Sequence, residues 1–256
     1  MFIAKLLLTL SILINLNANA EDIAINDTTE TRNESSWWGR RLDELVSPVS
    51  TNARYVFVGG SMISLALFLQ QHSTGVDFFQ SEYGQDKPQG SLSKIGDLAG
   101  QLIPNTLYAA SFLTHYWISH NDTSWHRTEY MFKATLYPAL MSTLLKASLD
   151  EKRPSGGRHS FPSGHTTTAF AFATAVACEH AWYWGVPAYA LAAFVGLSRM
   201  NDSKHYLHDV IAGATLGSSY ALGLYLIDKK TKARNVAFYP VTTPSLMGIG
   251  LASSFY

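Results

Sequence analysis

The stretch Lys146-Ala147-Ser148-Leu149-Asp150-Glu151-Lys152-Arg153-Pro154, then Pro162-Ser163-Gly164-His165, then Ser198-Arg199 with His205 and Asp209 beyond it, decides the reading of this chain. Lys146 stands near the C-terminal end of an apolar helical segment, Glu129 to Leu149, and Arg153-Pro154 follows in the next loop. Ser163-Gly164-His165 opens a second apolar segment, Gly164 to His180. That helix runs away from the cluster and a turn over Ala181 to Val186 reverses it. A helix over Pro187 to Arg199 then returns. All three clusters therefore meet at one end of an antiparallel bundle. A helix from His205 to Ile227 would put His205 and Asp209, four apart, on one face.

Working outward, two more helical segments precede these, Tyr55 to Gln70 and Leu98 to Ser119, separated by a polar loop, Gln71 to Lys94, with Gly75, Gly84, Pro88 and Gly90 as breakers. Six helices without period-two strands predict an all-α six-helix bundle with its site at one end. The expected division is residues 1–20 as an export signal, 21–53 as a polar lead-in with a short amphipathic helix at Trp37 to Val46, 54–228 as the bundle, and 229–256 as an extended or hairpin tail. Lys5, the apolar run Leu6 to Leu16 and Ala18-Asn19-Ala20 are the signal features, with cleavage before Glu21 or retention as an anchor as the two outcomes.

Composition narrows the class. The chain has 256 residues, 19 basic and 19 acidic, with 15% charged and 47% hydrophobic residues, and its mean hydropathy is +0.02. Zero net charge gives no general attraction to nucleic acid. Cys178 stands alone, which excludes an internal disulfide and a cysteine zinc site within the chain.

The clusters hold three cations, two histidines, a carboxylate and a Ser-Gly turn, which together are a set for handling phosphate. Lys146, Arg153 and Arg199 can neutralise phosphoryl oxygens, and arginine does so through a planar fork. Gly164 allows close backbone approach at a helix start, where free N–H groups favour an anion. Asp209 can hold one ring nitrogen of His205 while the other faces phosphorus.

These three blocks resemble the signature of the type 2 phosphatidic acid phosphatase superfamily, which includes bacterial acid phosphatases and vanadium haloperoxidases; every motif position is matched. The resemblance implies that His205 attacks phosphorus, Asp209 orients it, and His165 protonates the leaving oxygen and then activates water. Lys146, Arg153, Ser163, Gly164 and Arg199 would bind the non-bridging oxygens, with no metal or other cofactor. The implied substrate is a phosphorylated lipid or a small phosphate ester, with contact to a membrane surface and none to nucleic acid. A broad-specificity soluble acid phosphatase, a haloperoxidase and a non-catalytic envelope module are the alternatives.

The expected compartment is the cell envelope. A signal followed by six spans would put the site in the cytoplasm and the basic run Lys229, Lys230, Lys232 and Arg234 outside, against the positive-inside tendency. The polar interruptions in the early segments, and a Pro187 to Arg199 helix only about 20 Å long at ~1.5 Å per residue, favour an exported periplasmic bundle resting against a membrane. An integral inner-membrane protein with a periplasmic site is the alternative.

Overall fold

Among the described residues, five of the six apolar segments form one helix each, the sixth forms two, and three further short helices join them. A computed structural model of the chain describes residues 37–71, 74–234, 236–243 and 246–253; the expected signal, residues 1–20, and the lead-in up to residue 36 lie outside the described residues. The order is α1 (Trp37–Leu45), α2 (Ser47–Ser50), α3 (Arg54–Leu69), α4 (Thr74–Asp86), a 3₁₀ turn (Gly90–Leu92), α5 (Ser93–Gly100), α6 (Ile103–Ser119), α7 (Asp122–Leu149), α8 (Gly164–Glu179), α9 (Trp182–Asn201) and α10 (Leu207–Arg234). Two antiparallel strands follow, β1 (Val236–Thr243) and β2 (Leu246–Ser253), with Val236 opposite Ser253 and Thr243 opposite Leu246. These strands pair as a hairpin within residues 229–256, and α10 carries the basic run to Arg234.

Other boundaries are corrected by local chemistry. The segment Leu98 to Ser119 is two helices, broken where Leu102 takes a positive φ of 70°, and Pro104 sits in the first turn of α6, where a missing N–H costs nothing. The supposed loop from Gln71 to Lys94 contains the 13-residue α4, which absorbs Gly75 and Gly84. α7 starts at Asp122, before Glu129, because the Asn121 side chain accepts the Thr123 N–H at 2.9 Å and caps a polar first turn. α9 starts at Trp182, with Pro187 inside it, so its 20 residues span about 30 Å.

α8 lies at the centre, packed against α10, α9 and α7. Its buried face is built of small residues, among them Ala169, Ala171, Ala173, Ala175 and four threonines. α10 answers with glycines. A Cβ on Gly213 would lie 2.5 Å from the Ser163 carbonyl oxygen, and one on Gly217 would collide with the Thr167 carbonyl oxygen. Small residues on both sides let the two backbones touch. This contact sets where the start of α8 stands relative to the start of α10.

Candidate active site

The site forms where the C-terminal ends of α7 and α9 meet the N-terminal ends of α8 and α10. Ser163 is the N-cap residue of α8, and its backbone N–H donates to the Asp209 carbonyl at 3.0 Å, tying two motif blocks together. Its hydroxyl accepts a 2.9 Å bond from Thr166 Oγ1 and retains its own proton to donate. The first N–H groups of α8 have no acceptor within the helix, so its start offers an anion site. Lys146 runs past it: a Cβ on Gly164 would lie 3.8 Å from Lys146 Cε. Lys146 Nζ is aimed by the carbonyls of His159 (3.0 Å) and Ser160 (3.3 Å).

His205 precedes α10, in the loop before Leu207, so helical spacing is not what brings it to Asp209. Asp209 instead turns back as a cap: its Oδ2 accepts the Tyr206 N–H at 2.8 Å and the Ser160 hydroxyl at 2.5 Å, with His205 Nδ1 3.4 Å away. Asp209 is fully buried, and His205 nearly so. The Ser160 hydroxyl and the Tyr206 N–H offset the cost of burying the Asp209 carboxylate. Burial lowers the His205 imidazole against the pull of Asp209, with Lys146 and Arg153 adding to the lowering. A cavity of about 260 Å³ opens beside His205, walled by Gln80, Gly84 and Gln85 of α4 and by Pro154, Met200 and Tyr206.

Arg199 is buried at the end of α9, its Nε directed at Ser198 Oγ at 3.2 Å. Arg153 lies in the loop after α7, its backbone N–H bonded to the Gly157 carbonyl at 2.8 Å and its side-chain Nε buried without a hydrogen-bond partner. Burial, helped by Arg153 and opposed by Asp209, brings Lys146 down to about 8. Burial and the Arg199 charge push His165 down to about 4, with Asp97 pulling the other way. All eight motif residues singled out in the sequence therefore lie at one end of the bundle.

Five further residues join them. Asp97 on α5 contacts Arg199 Nη1 through Oδ1, and the same oxygen is 3.2 Å from His165 Nε2. Ser160 donates to Asp209, and Glu151 and His208 lie behind it. Gln80 on α4 accepts the Leu207 N–H at 2.7 Å. Nothing in the sequence marks Asp97, which is 102 residues from its partner Arg199. Arg158 and His159 turn to Asp150 and brace the loop, and Glu179 binds Arg127 at the opposite end of the bundle.

Three cations near a buried His-Asp pair, with a second histidine at a helix start, are groups able to hold a phosphate and act on it. Residues 111–233 of the chain match the PAP2 superfamily. A lipid A 1-phosphatase of Porphyromonas gingivalis is 35% identical over 136 residues, 50% of this chain and 29% of that protein. A lipid A 1-phosphatase of Rhizobium etli is 32% identical over 109 residues, 36% of this chain and 47% of that protein. The match thus spans less than half the length of either relative. A crystal structure of a transmembrane PAP2-type phosphatidylglycerolphosphate phosphatase from Bacillus subtilis superposes with a TM-score of 0.53, at 19% identity, over 70% of this chain and 98% of that one. The bundle is therefore a PAP2-type fold.

Proposed function

We propose that the protein is a membrane-embedded phosphatase that removes a phosphate monoester from a lipid. The observation that carries this reading is where the apolar exterior stops. On α7 the exposed row Trp125, Phe132, Leu136, Leu140 and Leu144 ends two residues before Lys146, and on α9 the exposed residues from Trp182 end at Leu197, two before Arg199. Trp125 to Leu144 covers about 28 Å of helix, close to the ~30 Å hydrocarbon core of a bilayer. Trp117, Trp125, Trp182, Tyr183 and Trp184 crowd the opposite end, as an interfacial aromatic belt does. Among the described residues one helix, Leu207–Lys230, is long and apolar enough to cross a membrane by length and composition, though most of its apolar stretch is buried. The exposed faces of the other helices carry the argument. Inside the band, Lys133 is neutralised by Glu44 of α1 at 2.8 Å and by Glu129.

A phosphate held where the band ends sits at headgroup depth, with the acyl chains of the substrate alongside the helices. Lipid A 1-phosphatases among the relatives make lipid A phosphate the first substrate to test. Lys229 and Lys230 lie at the far end of α10, so the positive-inside tendency puts the site on the periplasmic face. In the reaction, His205 attacks phosphorus as the ester P–O bond breaks, and His165 gives its proton to the departing oxygen. Lys146, Arg153, Arg199, Ser163 and the Gly164 N–H hold the three equatorial oxygens. Water then attacks the phosphohistidine, with its proton returning to His165.

The test is phosphate release from detergent-solubilised lipid A and phosphatidic acid compared with p-nitrophenyl phosphate. The expected result is a lipid preference of at least about tenfold in kcat/KM, lost in His205→Ala, with an acid-labile, base-stable phosphoenzyme in the wild type. Equal efficiency on all three substrates would remove the lipid reading. Full activity in His205→Ala would remove the mechanism.

A further inference from the structure

We propose that His208 and Glu151 form a buried positioning pair that holds the second oxygen of Asp209, so that the first stays turned toward His205. The inference rests on the reading of Asp209 as the partner of a nucleophilic His205. Asp209 Oδ2 accepts the Ser160 hydroxyl and the Tyr206 N–H and faces His205 Nδ1 at 3.4 Å. Oδ1 is buried and lacks a well-formed hydrogen bond; the donor that faces it is His208 Nε2, 3.3 Å away. That same nitrogen lies 3.0 and 3.2 Å from the two oxygens of Glu151. One ring N–H thus stands between two carboxylates, in a region where an unsatisfied acceptor is costly.

The imidazole of His208 cannot leave this position easily. It is 1% exposed, stacked near parallel to Tyr206 at 5.3 Å and to Phe161 at 6.0 Å, and edged by Phe68 at 5.3 Å. Its backbone carbonyl accepts the Ser64 hydroxyl of α3 at 2.9 Å. Phe161 precedes the Ser163 block and Tyr206 follows the nucleophile, so the ring locks those two blocks around Asp209. Glu151 fixes the edge that the ring presents. Burial and the Asp209 charge raise the Glu151 carboxyl, and His208 pulls it back. Ligand atoms of Glu151, His208 and Asp209 are also close enough to share a cation, but their N···O spacings are those of hydrogen bonds.

The experiment uses the full chain in mixed micelles with a lipid phosphomonoester, comparing His208→Ala, His208→Gln and Glu151→Gln with wild type and His205→Ala. In His208→Ala, kcat is expected to fall about 10- to 100-fold while KM and inhibition by inorganic phosphate stay within about twofold. His208→Gln keeps an N–H donor and recovers most of the loss. Glu151→Gln keeps an acceptor for the His208 ring N–H and is expected to hold kcat within a few-fold of wild type, roughly.

Unchanged kcat in His208→Ala would overturn the proposal. So would equal losses in the alanine and glutamine variants together with weakened phosphate inhibition, which mark packing alone. A divalent cation retained at one per chain by wild type and lost in His208→Ala would replace the pair with a metal site. If His208→Ala does not fold, His208→Gln with a full loss of kcat at unchanged phosphate inhibition decides against the pair. Full activity in His205→Ala removes the underlying reading instead, a result separable from all of these.

Discussion

Asp97 touches both Arg199 and His165 while carrying no motif signal. Its carboxylate is the influence that raises His165, against burial and Arg199, which bring the imidazole to about 4. In the proposed mechanism His165 must carry a proton to release the leaving oxygen, whereas His205 must be free of one to attack. With both imidazoles below their ordinary range, kcat/KM is expected to peak on the acid side of neutrality and to fall as pH rises and His165 loses its proton. Lys146, at about 8, adds a second decline in alkali. Asp97→Asn removes the raising influence, so the optimum should move to lower pH and kcat/KM at pH 7 should fall about tenfold. A pH–rate profile from 4 to 9 checks this; an unmoved optimum would show that Asp97 does not act on His165. The eight motif residues were legible because each sits in a short block beside a helix end. Asp97, Gln80 and the facing of His208 on Asp209 depend on how distant elements dock, which no local pattern encodes.

At the scale of elements, the seam between α8 and α10 joins stability to chemistry. Gly213 touches the Ser163 carbonyl, so a side chain there must push the start of α8 away from Asp209. Gly213→Ala is expected to cost about 1–3 kcal/mol, read as a lower melting temperature, and to reduce kcat as well. Gly59 of α3, with nothing within 4 Å of a built Cβ, is the control, and Gly59→Ala should stay within about 0.5 kcal/mol. Equal effects at the two positions would mean that close approach is not what Gly213 supplies. The six principal helices could be read from the sequence because their apolar runs are long. α4 could not, since Gly75 and Gly84 resemble loop punctuation; Gly84 is a packing position, where a Cβ would lie 2.9 Å from Ser203 Oγ. Pro187 misled in the same way, shortening α9 on paper and weakening the case for a membrane span.

For the whole molecule, average hydropathy concealed the arrangement of the surface. α8 hides small Ala and Thr residues, which contribute little hydropathy, while Leu, Phe and Trp face outward on α7 and α9. That inversion cannot be seen until the inward faces are known. Membranes washed with carbonate should retain the protein, and a nitroxide on a cysteine replacing Leu140 should be accessible to oxygen and shielded from a water-soluble nickel chelate. The reverse accessibility would return the bundle to water.

The start of α10 is suspended from chain segments far behind it: Ser64 bonds to the His208 carbonyl across 144 residues, and Gln80 to the Leu207 N–H across 127. Contacts of such long sequence separation form late. During biogenesis, a chain emerging from the ribosome reaches Arg153 and Ser163 long before His205 exists, and even then the nucleophile stands at the rim of a helix that has yet to dock. On the proposed reading, a copy in which α10 has not docked lacks a positioned nucleophile, so phosphatase activity would report completed assembly of the bundle.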